Sequence, residues 1–308
     1  MKVKSQIQDT VFQGSLAVLS WSVVAMALLI VAILTKFSWP AIKEFGWRFL
    51  VRSDWDAVNG QFGILPVIYG SIVSSLLALL IAVPLSLGIA LFLSELGPLW
   101  IRSPLNMLIE LLAAIPSVIY GLWGIFVLAP YLRSVVEPAL KRYLGFLPFF
   151  QGPAYGVGML AAGIILSIMI IPTISSICRE VFLTVPTSQK EAALGVGATR
   201  WEMIKLAILP SSLSGIVGAV LLGLGRAIGE TMAVTMVIGN RPDISLSLFN
   251  PSYTMASLLA NEFSEATTEI HTAALVEAGL VLLCITLLLN IAARVLVWSV
   301  AGKASRQA

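Results

Sequence analysis

Apolar residues along this chain fall in long blocks separated by short polar stretches, with neither the alternation of a half-buried strand nor the single stripe of a soluble helix. A helix needs roughly 20 mostly apolar residues to cross a bilayer. Six blocks meet that length: Ser15 to Leu34, Ile64 to Leu93, Leu105 to Tyr131, Tyr155 to Ile177, Ser211 to Ile238 and Thr272 to Trp298. The pattern predicts an all-α integral membrane protein with these transmembrane helices. The second and third blocks exceed the minimum, so they tilt or extend past the hydrocarbon. Pro84, Pro116 and Pro172 lie inside blocks and are expected to bend them. The first block follows Lys2 and Lys4, but it is long for a signal peptide, and Thr35 to Pro40 lacks a small-x-small cleavage site. A retained first helix is expected.

Composition supports the lipid-facing assignment. The 308 residues are 58% hydrophobic and 11% charged, against about 25% charged in soluble chains; mean hydropathy is +0.95. A net charge of +3 gives no case for nucleic acid. Cys178 and Cys284 form no disulfide or zinc spacing and are expected to be packing residues. The single histidine, His271, makes no metal cluster and is expected in interfacial water at the outer boundary. Lys and Arg are slightly more numerous on the side holding Lys2, Lys4, Arg102, Arg179, Lys190, Arg200, Lys205, Arg294, Lys303 and Arg306 than on the side holding Lys36, Lys43, Arg48, Arg52, Arg133, Lys141, Arg142 and Arg241. This bias predicts both termini in the cytoplasm. Trp39, Trp47, Trp55, Tyr143, Phe146 and Phe149 fall in the outer segments, as interfacial aromatics do.

The longest inner loop runs from Cys178 to Pro210. Two capping boxes are legible in it, Ser188 with Glu191 and Thr199 with Glu202. Gly195 and Gly197 are expected to end the first helix, and Pro210 to close the second. The product would be a pair of short helices whose Ala192, Ala193 and Gly197 leave one face low for the approach of another protein.

Charge inside the apolar blocks is the other chemical signal. Arg226 and Glu230 lie four residues apart in the fifth block, and so on one helix face. A charge at the bilayer centre costs about 2.5–3.5 kcal/mol on insertion scales, so such residues turn to a bundle interior or a wet path. Arg offers a planar fork of donors suited to oxyanions. Gly215, Ala219, Gly223 and Ala227 recur every four residues, and Gly225 with Gly229 makes a Gly-x-x-x-Gly pair, so close helix packing is expected here. Glu110, Ser117 and Glu277 are further candidates, for a pathway or for structural hydrogen bonding.

The inner loop resembles the EAA loop of ABC importer permeases, through Glu191-Ala192-Ala193, Gly197 four residues after Ala193, and Leu209-Pro210; Ala207 stands where that family usually has Ile, beside Ile208. The stretch Gly225-Arg226-Ala227-Ile228-Gly229-Glu230-Thr231-Met232-Ala233-Val234 is similar to the signature of phosphate-specific importer permeases. Phe62 to Ser71 and Glu110 to Gly124 agree. The resemblance implies the type I importer permease (MetI-like) fold, with residues 1–62 forming an N-terminal tail, first helix and outer segment. It implies a permease core of five helices over 63–308 and a coupling loop at 187–210, where Glu191, Ala192, Ala193, Gly197, Leu209 and Pro210 meet a cytoplasmic ATPase. Arg226 and Glu230 are then implicated in phosphate passage. The implied partners are a second permease (PstA-like), two ATPase subunits (PstB-like) and an extracytoplasmic phosphate-binding protein (PstS-like), in a bacterial inner membrane.

No enzyme activity or cofactor of the chain's own is expected. It has no Gly-x-x-x-x-Gly-Lys-[Ser/Thr] loop, and Gly302-Lys303 is followed by Ala304; ATP and Mg would be bound by the partner ATPase. The alternatives are a permease for molybdate or sulfate, an ion-coupled secondary transporter, or a sensor or scaffold. The secondary transporter would need no ATPase partner and leaves the EAA loop unexplained.

Overall fold

The computed structural model describes residues 2–304; Arg306 lies outside them. Among the described residues, six helices are long and apolar enough to cross a membrane, and they form spans one to six: Phe12–Phe45, Leu65–Leu96, Ser117–Leu144, Met159–Leu183, Arg200–Gly229 and Glu269–Ala292. Span one packs along span six, and its remaining apolar side chains, Trp21 and Leu28 among them, are exposed.

Span four is the central helix. Its Ile165, Met169, Ile170 and Ile174 are buried in the main core, and span two lies along it. At Gly163 an added Cβ would come within 2.5 Å of Leu77 Cδ2, so the glycine is what allows the two helices to approach. Gly215 and Gly223 of span five meet Val181 and Ile174 of span four in the same way, and Ala219 between them and Ala227 one turn beyond are buried. The small-residue face read from the sequence is therefore a packing face against span four. A second core forms where Phe49, Phe62, Val67, Tyr253, Met255, Leu258 and Ala274 meet. His271 lies there too, buried and stacked on Phe62, rather than in interfacial water as expected: Glu262 accepts at its Nε2 and two aromatics cover it.

The third block does not form one helix from Leu105 to Tyr131. Leu99–Ala114 is a separate helix with no buried residue, and span three starts at Ser117. Pro116 causes the break: it disfavours helical geometry in the residue before it, and Ile115 is extended at ψ 127°. Pro84 and Pro172, by contrast, do lie inside continuous helices.

Span five also differs from its expected limits. It begins at Arg200, because Pro210 does not close a short helix but sits in the first turn of Leu209–Gly229, directly after a π turn at Ile204–Ile208. Widened turns of this kind also occupy Phe92–Leu96, Gly124–Leu128 and Leu132–Val136. Each ends two residues before a proline: Pro98, Pro130, Pro138 and Pro210. A proline has no N–H for the carbonyl four residues back and its ring collides with that carbonyl. A local i→i+5 turn moves the carbonyl aside at the cost of one extra residue.

Candidate functional site

The loop between spans four and five carries the helix Thr187–Gly195. Pro186 occupies its cap position and no side chain caps it. The expected Ser188–Glu191 box is therefore absent: the fixed φ of Pro186 sets the entry, and Ser188 falls inside the first turn. The second box is present, with Thr199 Oγ1 accepting from Glu202 N at 3.3 Å and Glu202 Oε2 accepting from Thr199 N at 2.8 Å. The helix closes on Gly197 at φ +88°. Gly197 N donates to Leu194 O and Ala198 N to Ala193 O, the paired bonds of a Schellman ending. Glu191, Ala192, Gly197 and Pro210 are exposed, while Ala193 and Leu209 are half-buried. Open space surrounds Gly197. The loop thus presents a rigid, low-profile, uncovered surface.

Arg226 lies in the last turn of span five, which packs along span four. Its Nη1 donates to Thr173 Oγ1 of span four at 3.2 Å, and it is within electrostatic reach of Tyr120 of span three. The Tyr120 hydroxyl in turn donates to Leu112 O at 2.7 Å, bracing the break at Pro116.

Glu230 does not share a helix face with Arg226. The helix ends at Gly229, and Glu230 turns extended at ψ 126°. Its Oε1 accepts from Ala233 N at 3.3 Å, capping the short helix Met232–Val237. Among the described residues no ion pair joins it to Arg226. The four-residue spacing misled because it presumed an unbroken helix.

The two glycine sets of span five divide its surface. Gly218, Gly225 and Gly229 have nothing within 4 Å of an added Cβ, and Leu222 between them is exposed. Their spacing puts them on one face; Gly218 and Leu222 border a cavity shared with Leu287 and Asn290 of span six, and beyond it nothing among the described residues packs on Gly225 and Gly229. Arg226 and Glu230 flank the end of that open face, both half-buried.

The remaining candidates scatter. Glu110 is on the exposed helix Leu99–Ala114, accepting from Asn106 Nδ2. Ser117 is half-buried in the first turn of span three. Glu277 is buried in span six, and its Oε2 has no partner among the described residues. Cys178 is buried and Cys284 exposed, both unpaired. Thr173 and Tyr120 were missed as neighbours of Arg226. Tyr120 lies in the legible stretch Glu110 to Gly124, but no sequence spacing ties it to a residue on another span.

Residues 82–301 match the family described as "Binding-protein-dependent transport system inner membrane component". Among curated relatives, "Phosphate transport system permease protein PstC" of Mesorhizobium japonicum is 49% identical over 83% of this chain and 80% of its own length. The protein of the same name from Haemophilus influenzae is 45% identical over 94% and 93%. "Phosphate transport system permease protein PstC 2" of Mycobacterium tuberculosis is 42% identical over 89% and 87%. In fold, the chain is similar to one from a bacterial alginate ABC transporter solved with an alginate pentasaccharide-bound periplasmic protein, at TM-score 0.60 and 17% identity over 91% of this chain and 95% of that one. It is also similar to one from the inward-facing MetNI methionine ABC transporter, at TM-score 0.52 and 17% identity over 83% and 98%.

Proposed function

This chain belongs to the binding-protein-dependent transport system inner membrane components, and from that premise we propose that it forms half of the translocation pathway of an ATP-driven phosphate importer. The observation that carries the substrate is the 49% identity, over most of both chains, to a phosphate transport permease. The loop helix Thr187–Gly195 docks on a cytoplasmic ATPase subunit, which binds ATP and Mg. A second permease covers the open face of span five, and a phosphate-binding protein delivers substrate at the opposite end. Both termini lie in the cytoplasm of a bacterial cell, beneath its inner membrane.

Arg226 draws the anion along the open face, and Glu230 tunes that charge. Near neutral pH phosphate keeps a proton that it can donate to a carboxylate, whereas sulfate keeps none and a carboxylate repels it. An arginine and a carboxylate beside one path therefore suit phosphate better than sulfate. Arg226 is held by a neutral hydroxyl rather than by a countercharge, so its charge remains available to a passing anion.

Reconstitution of the chain in vesicles with a second permease, the ATPase and the binding protein tests this. The expected result is ATP-dependent uptake of phosphate that excess sulfate or molybdate does not compete away. Uptake of those anions in place of phosphate would move the assignment to another oxyanion importer.

A further inference from the structure

The helix Thr187–Gly195 is tied by its backbone to spans four and five only, through Thr184 to Pro186 on one side and Val196 to Thr199 on the other. Two neighbouring side chains on it reach further. Gln189 Oε1 accepts from Ser211 Oγ of span five at 3.2 Å. Lys190 Nζ contacts Glu95 Oε1 of span two at 2.5 Å, a residue 95 positions away in sequence. The Lys190 and Glu95 side chains are only 17% and 13% exposed, and they line a cavity of about 560 Å³ at this end of the bundle with Arg102, Glu191 and Arg200. Solvent screening therefore weakens this pair less than an exposed one.

The receiving end is stiffened. Glu95 lies in the π turn Phe92–Leu96 that finishes span two. Pro98 cannot bond the carbonyl of Ser94, four residues back. Arg102 fills that place, its Nη1 donating to Ser94 O at 2.6 Å and its Nε to Gly97 O at 2.7 Å. Span two then runs along span four to the opposite end of the molecule. Ser86 Oγ donates to Ile171 O on the way. At the far end Tyr69 Oη donates to Ser245 O at 2.7 Å, and Ser71 Oγ accepts from Met255 N at 2.8 Å. There Gly70 lies so close to Tyr253 O that any side chain would collide.

We propose that the Lys190–Glu95 ion pair locks the loop helix to span two. A displacement of that helix then moves spans two and four as one body, together with the segment Ser245–Met255 held at their far end. Lys190 and Glu95 are positioning residues in this scheme, because neither touches the substrate. The inference rests on the proposed docking of the loop helix on an ATPase. Without the lock, the helix would keep its ties to spans four and five but would have no direct side-chain hold on span two.

The test uses the complete reconstituted transporter and reads phosphate transported per ATP hydrolysed, normalised to assembled complex. Glu95→Gln is expected to lower that ratio at least about fivefold, the low end of ordinary site-to-site coupling, while ATP hydrolysis continues. Lys190→Gln should lower it likewise. The charge swap Glu95→Lys with Lys190→Glu should restore it to within about twofold of the unaltered complex. An unchanged ratio in Glu95→Gln overturns the lock. A swap that assembles but recovers nothing overturns it too, because the residues would then matter individually and not as a pair. If the unaltered complex itself shows no ATP-driven uptake, the importer assignment fails instead, and the two failures are distinguishable.

Discussion

At the scale of single residues, two positions make separable predictions. Arg226 has a hydroxyl partner and, among the described residues, no ion-pair partner. Arg226→Gln should abolish phosphate uptake with assembly intact, and Arg226→Lys should be only partly active, since an ammonium lacks the planar fork. Because Glu230 caps another helix rather than pairing with Arg226, neutralising it should not rescue Arg226→Gln. The stability changes of the two single substitutions should add to within about 0.3–0.5 kcal/mol in melts of the double variant. Near-normal uptake in the doubly neutral protein would reduce both residues to packing elements. Gly197 is the second case. Its φ of +88° is strained for any side chain, yet the space around it is open. Gly197→Ala should therefore cost only about 1–2 kcal/mol of local backbone strain with uptake largely kept. Gly197→Asp adds a charge on the exposed surface and should uncouple uptake from hydrolysis while the protein still inserts. Normal co-purification with the ATPase and normal uptake in Gly197→Asp would remove this surface from the docking site.

At the scale of elements, prolines decide where the helices change course. Pro210→Ala restores an N–H that can bond Leu206 O, so the π turn at Ile204–Ile208 should relax to an ordinary α turn. Losing one residue of offset rotates the segment from Arg200 to Met203 by about 100° against span five and misaims the helix before it. Less ATPase should co-purify and uptake should fall, with helix content unchanged by circular dichroism; unaltered co-purification would show the widened turn to be incidental. The same residues mark what was legible in sequence. Apolar block length located the six membrane-crossing helices, and the Thr199–Glu202 box and the Gly197 ending were readable because their bonds are local. Pro116 and Glu230 were not placed correctly: block hydropathy records only apolarity, and it runs unbroken across an extended residue such as Ile115. Contacts between elements, Arg226 with Thr173 and Lys190 with Glu95, leave no periodic trace, since the partners lie 53 and 95 positions apart.

At the scale of the whole molecule, the chain leaves surfaces that a bilayer and its own core do not both account for. The helix Leu99–Ala114 buries none of its residues, and Leu99 and Trp100 are 81% and 77% exposed beside the charged end of span two. On span five the glycine face at Gly225 and Gly229 stands open among the described residues, with two ionisable residues at its end. Arg226 and Glu230 facing lipid there would each carry the insertion cost of an intramembrane charge, so that face is better matched by a second protein around an aqueous path. A partner that binds only the folded chain stabilises it by mass action. The chain purified alone in detergent should therefore melt at a lower temperature than in complex, and alone in vesicles it should move no phosphate. Adding a second permease should raise the melting temperature, and adding the ATPase and binding protein should make uptake depend on ATP. Phosphate uptake by the isolated chain, with no ATP present, would overturn the shared-pathway scheme in favour of an ion-coupled carrier. In that case the uncovered surface on span five would have to close on a second copy of the same chain or on lipid.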